Sequence, residues 1–158
     1  MDGMKVLKNE LLTFLISMLP ISELRGAIPF AISCGISPGV AYLISVAGNI
    51  LPVFPLLLLL KELSSLISRY SWGERVLKRL LKMGEKKKGL VERYSLPGLV
   101  LLVAIPLPIT GAWTGVLVSF LLSLKIRYAF LAISIGVCLA GAIVLLVSLG
   151  VISGIKFF

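Results

Sequence analysis

The chain contains no histidine at all, and only two cysteines, Cys34 and Cys138, in 158 residues. Without histidine there is no imidazole base, and a zinc or haem site has almost no ligands to draw on. The cysteines lie far apart, each inside apolar sequence, so they read as buried free thiols. Charge is scarce too. Asp, Glu, Lys and Arg make up 15% of the chain, against about 25% in an ordinary soluble domain. No Gly-x-Ser-x-Gly elbow, Walker loop or dinucleotide fingerprint is present. No nucleophile–base pair stands out, and no metal or cofactor is called for. A membrane enzyme is therefore the weakest reading.

What is abundant is apolar sequence. Hydrophobic residues account for 58% of the chain, and the mean hydropathy is +1.07. That is too apolar for a soluble core of this size, and it points to an all-α integral membrane protein forming a single membrane domain. The net charge of +9 is concentrated: residues 61–93 hold 10 basic and 4 acidic side chains. A basic block between two apolar regions fits a cytoplasmic loop under the positive-inside rule better than a nucleic-acid surface. The apolar run beginning at Leu11 continues to Leu60, too long for a signal peptide, so no cleaved leader is expected.

Three regions follow. The first, 11–60, has Glu23 and Arg25 as its only charges and is punctuated by Pro20, Gly26, Pro29, Gly35, Pro38 and Gly39. The apolar piece 11–19 is nine residues long. As a helix it covers about 14 Å, half of a ~30 Å hydrocarbon core. The piece from Leu24 to Gly35 is also short. Two short helices around a Pro-flanked break describe a re-entrant hairpin. Residues 40–60 then supply an uncharged spanning helix that Pro52 and Pro55 should kink.

The second region, 61–95, places Leu63, Leu66, Ile67 and Tyr70 at helical spacing, with Arg and Lys on other faces. It reads as an amphipathic helix on the cytoplasmic membrane surface. The third, 96–154, repeats the plan of the first: a short helix, a break at Pro106-Leu107-Pro108-Ile109-Thr110-Gly111, a half-length helix, and a spanning helix over 128–149. Lys125 and Arg127 are its only charges; they fit topology determinants or lipid-headgroup contacts.

Setting residue n on n+88 superposes the two apolar regions without gaps. Leu19-Pro20-Ile21-Ser22 falls on Leu107-Pro108-Ile109-Thr110, and Gly48 falls on Gly136. With both inner ends joined by a cytoplasmic linker, the halves enter the membrane from opposite sides. That is inverted-repeat topology, which in transporters sets the binding site at the midplane between broken helices; four simple spanning helices are the alternative.

The candidate site follows from the breaks. A charge deep in a bilayer costs at least ~2.5–3.5 kcal/mol, so such groups face a cavity or a partner. Glu23 suits a proton or cation, and Arg25 suits a phosphate or carboxylate, being permanently charged and bidentate. The alternative is an ion pair that only locks the hairpin. At the second break, Pro108 ends a helix, while Thr110 and the free N–H groups of a helix starting near Gly111 suit an anion. Trp113 and Thr114 line its first turn, Ser22 precedes Glu23, and Asn49 is a polar group within the first long helix.

The segment Ser22-Glu23-Leu24-Arg25-Gly26-Ala27-Ile28-Pro29 and the segment Pro106-Leu107-Pro108-Ile109-Thr110-Gly111-Ala112-Trp113-Thr114-Gly115 resemble the paired signatures of the small multidrug export proteins. That family is similar in plan to the DedA superfamily of inverted-repeat membrane proteins with opposed re-entrant hairpins. The resemblance implies a DedA-like fold and a transporter or flippase. The implied cargo is an anionic lipid carrier such as a polyprenyl phosphate, moved with proton coupling, or else a small hydrophobic cation exported against protons. It also implies membrane-embedded acids and arginines as functional groups, which Glu23 and Arg25 match. Gly111 and Trp113 stand where the second half would repeat them. A homodimer is expected by analogy with other small transporters. A structural membrane protein whose charges only fix the fold is the third reading.

Overall fold

The computed structural model describes residues 2–67, 88–106 and 111–155. The described residues form seven helices: α1 (Asp2–Met18), α2 (Glu23–Ser33), α3 (Pro38–Ile50), α4 (Val53–Ile67), α5 (Lys88–Ala104), α6 (Ala112–Leu121) and α7 (Ile126–Ile155). Most of the basic amphipathic stretch expected between the halves, together with Pro108 and Thr110, lies outside them.

Two stretches are long and apolar enough to cross a membrane, Pro38–Glu62 and Ile126–Val151. Only 28% and 39% of their most apolar windows are buried inside the protein. Leu43, Phe54, Leu58, Leu131, Leu139, Leu146 and Val147 turn outward. A helix buried in a soluble core would hide such side chains; here they form the lipid-facing wall of a membrane protein. The first span is interrupted where proline was expected to kink it. Helix α3 gives way to α4 at Leu51–Pro52, and Pro52 and Pro55 have no N–H for the carbonyls of Gly48 and Leu51.

Helices α2 and α6, of 11 and 10 residues, are half-length, as the spacing of the breaks requires. The arms before them are longer than hydropathy indicated. Helix α1 reaches back to Asp2 and α5 back to Lys88. Each arm has 17 residues, about 26 Å of helix. The reason is that Lys and Glu are good helix formers. An apolar run marks where a helix meets lipid, not where its backbone hydrogen bonds begin.

The backbone repeats at the spacing found in the sequence. Helix α3 begins at Pro38 and α7 at Ile126, 88 residues on. Helices α2 and α6 end in the same C-terminal motif. After α2, Gly35 N–H donates to Ile32 and Ile36 N–H to Ala31, with Gly35 at φ +81°. After α6, Ser123 N–H donates to Phe120 and Leu124 N–H to Ser119, with Ser123 at φ +52°. Both are Schellman caps. The glycines that align also behave alike. A Cβ on Gly48 would strike Ser17 and the Phe14 carbonyl of α1, and one on Gly136 would strike Val103 and the Val100 carbonyl of α5. Small residues at these crossings let backbones approach without the hydrophobic drive that water would supply.

The core is shared between the halves. Leu24 and Ile28 of α2 pack in one cluster with Val53 and Leu57 of α4, Leu99 and Val103 of α5, Ala112 and Val116 of α6, and Ala129, Ile133 and Val137 of α7. Helix α7 touches both α2 and α3, and α4 touches α6. The breaks before α2 and α6 are thereby brought face to face.

Candidate functional site

Helix α1 ends at Met18 and the chain turns sharply before α2. Ser22 closes the end of α1, its hydroxyl donating to the Ile16 carbonyl at 2.7 Å. The Glu23 N–H donates to the Leu19 carbonyl at 3.0 Å. Glu23 itself stands at φ +44°, a left-handed conformation uncommon for a residue with a Cβ. The strain sits at the one buried carboxylate among the described residues, which is where functional sites tend to store it.

Glu23 is 7% exposed. Its carboxylate crosses to the other half and accepts the backbone N–H groups of Ala112 and Trp113. Those are orphan donors of the first turn of α6, so the carboxylate caps that helix from outside and meets the positive end of its dipole. Arg25, half-buried two residues on, acts on the carboxylate through its charge. Pro29 in mid-helix has no N–H for the Arg25 carbonyl, so that helical hydrogen bond is missing.

Gly111 is the other half of this contact. It has φ +153° and ψ −166°, a region that only glycine enters readily. A Cβ there would overlap the Glu23 carboxylate. In the repeat, Gly111 aligns with Glu23 and Trp113 with Arg25. The second break does not repeat the charges of the first; it receives them. Trp113, half-buried, ties the breaks together again: its indole N–H donates to the Met18 carbonyl at 3.3 Å.

A small cavity of about 10 Å³ lies at this junction, room for roughly one water. Glu23, Arg25, Asn49, Pro106, Gly111 and Ala112 line it, and Val137, Ala140 and Val144 of α7 close its apolar side. Asn49 is 1% exposed, and its Oδ1 has no hydrogen-bond partner among the described residues. An unpaired buried amide oxygen is costly and marks a position that wants a donor.

Of the residues singled out in sequence, Glu23, Arg25, Asn49 and Gly111 meet at the cavity, with Ala112 as a neighbour that sequence reasoning did not single out. Ser22, Trp113 and Thr114 do not line it, although Ser22 and Trp113 adjoin lining residues in the chain, and Pro108 and Thr110 lie outside the described residues. The α7 wall gave no signal, because Val137, Ala140 and Val144 look like any apolar helix face. Among the described residues no group of His, Cys, Asp or Glu is placed to hold a metal.

The α6 N–H pair and Arg25 form a receptor for negative charge, and Glu23 fills it. No curated protein and no solved structure matches the chain. Residues 23–143 match the family described as "Putative small multi-drug export protein", a stretch that begins at Glu23, the first residue of α2, and takes in the break before α6 and most of α7. This chain is thus a membrane protein belonging to the small multi-drug export family.

Proposed function

We propose that the protein is a proton-coupled transporter whose cargo is an amphiphile with an anionic head, of the polyprenyl-phosphate class. The observation that carries this reading is the Glu23 carboxylate seated on the Ala112 and Trp113 N–H groups beside Arg25. The helix end contributes roughly half a positive charge. Arg25 adds a full one, and Glu23 cancels most of the sum. When Glu23 takes a proton it loses its claim on those donors. The N–H pair and Arg25 then hold a phosphate or carboxylate of the cargo, and Asn49 Oδ1 offers the acceptor that a protonated Glu23 needs. When the cargo leaves, Glu23 returns and gives up its proton. Anion and proton thus travel together.

The same reading takes the two halves as an inverted repeat, with α1–α2 and α5–α6 as opposed hairpins and the 61–95 segment on the cytoplasmic side. The seam between the breaks is then the midplane site, and a long lipid tail remains outside against the apolar wall. In a chain this small, a second copy would complete that wall.

The test uses purified protein in liposomes under an imposed pH gradient, with a short-chain polyprenyl phosphate as cargo. Wild type should translocate it in response to the gradient. Arg25→Ala should abolish translocation, and Glu23→Gln should leave residual flux that ignores the gradient. Unchanged flux in Arg25→Ala overturns the reading.

The family's description favours a second reading, proton-driven export of hydrophobic cations. It needs Glu23 to carry an unmatched negative charge, and here Arg25 and the α6 N-terminus already match it. Efflux of a lipophilic cation that survives Arg25→Ala but not Glu23→Gln would establish that reading instead.

A further inference from the structure

A second cavity lies away from the seam and belongs to neither reading. It is open, with a volume of about 500 Å³, within the usual range for small-ligand pockets of about 300–1,000 Å³. Lys61 of α4, Lys125 just before α7, and Arg127 and Tyr128 in the first turn of α7 line it. Lys61 and Lys125 are 64 positions apart in sequence, yet the fold sets them around one space.

Its place in the fold is specific. Lys61 stands at the end of the first apolar span, and Ile126 opens the second. Both spans therefore bring this cavity to the same membrane face, at the level where apolar wall gives way to charge. Lipid phosphates sit at that level. Tyr128, 54% exposed, supplies the amphipathic ring favoured there.

The charges need more than topology to explain them. Three cations line the cavity, and no acidic residue is among its described lining residues; Glu62 follows Lys61 in the chain. Fixing orientation requires basic residues on one side of the membrane, but not their convergence on a cavity. Convergence of like charges on one cavity sums their attraction for an anion. The chemistry offered is a guanidinium fork for two phosphate oxygens, two lysine point charges and the positive end of α7.

We propose that the pocket formed by Lys61, Lys125, Arg127 and Tyr128 binds a phosphate-bearing anion at the membrane face. This site stands independently of the Glu23 exchange; Arg25→Ala should leave it intact.

The test is thermal stabilisation, with bound phosphorus counted, on full-length protein in mild detergent. The probes are phosphatidylglycerol, phosphatidylcholine and glycerol 3-phosphate. Phosphatidylglycerol should stabilise wild type, and its apparent affinity should fall by at least about tenfold in Lys125→Gln/Arg127→Gln. Lys61→Gln, a milder change, covers the case in which the double variant does not fold, and should also weaken binding. If glycerol 3-phosphate binds as well as phosphatidylglycerol, the ligand is a soluble phosphate; if it fails, the ligand is a lipid headgroup. Equal stabilisation by phosphatidylcholine, or phosphatidylglycerol binding unchanged in the basic-pocket variants, would overturn the proposal.

Discussion

The two breaks occupy the same frame with opposite chemistry. At the start of α2, the chain presents Glu23 and Arg25; at the start of α6, at the aligned positions, it presents Gly111 and Trp113. Had the second break repeated the first, two carboxylates and two guanidiniums would crowd one seam. Instead one half supplies a side-chain anion and the other supplies bare backbone N–H groups, with a glycine where a side chain would obstruct them. A repeated frame sets two breaks face to face. Divergence within it makes a donor and a receptor.

The comparison can be broken most severely at Gly111. Gly111→Ala places a Cβ in a glycine-only conformation and displaces the Glu23 carboxylate. Roughly 3–5 kcal/mol should be lost, from backbone strain and the charge-assisted hydrogen bonds together. Thermal unfolding in detergent would show this as a large fall in Tm, or as failure to recover folded protein.

The aligned crossings come next. Gly48→Ala and Gly136→Ala should each cost about 2 kcal/mol, because each new methyl meets a backbone carbonyl that cannot swing aside. Gly98→Ala in α5 is the control. Its Cβ meets nothing within 4 Å, so Tm should rise, by about 0.5–1 kcal/mol of added stability. Should Gly98→Ala destabilise the protein as much as Gly136→Ala, close packing would not be what selects glycine at the crossings.

The paired caps give a smaller and more pointed test. Gly35 and Ser123 share one role at φ +81° and φ +52°. Ser123→Gly should stabilise by about 1 kcal/mol and Gly35→Ser should destabilise by a similar amount. Opposite signs in a chemical-denaturation series would confirm that the two caps are one motif. An effect of similar size is expected at Trp113→Phe, which keeps an aromatic ring and loses the indole N–H to Met18. That should cost about 0.5–1.5 kcal/mol.

The breaks, the half-length helices and the interruption at Pro52 were legible in the sequence, because proline and glycine act through local backbone chemistry. The repeat was legible from its punctuation more than from its leucines. Helix starts were not: Lys5, Lys8 and Glu10 in α1 look like a boundary to hydropathy, although they are compatible with helix. The site was half legible. A lone Glu23 and Arg25 in apolar sequence announce themselves, and the α6 N-terminus was expected to hold an anion. That the anion would be Glu23 itself was not readable, because a contact across 88 residues leaves no trace in either segment. The gathering of Lys61 with Lys125 and Arg127 was hidden for the same reason.

The central claim is that Glu23 and a cargo anion compete for the same donors, so that a proton must accompany the cargo. Its most direct test is calorimetric titration of a short-chain polyprenyl phosphate into purified protein at one pH, in two buffers of different ionisation enthalpy. Wild type should take up a proton for each anion bound, and Glu23→Gln should bind the anion with no proton uptake. Anion binding by wild type with no proton taken from the buffer would contradict the account.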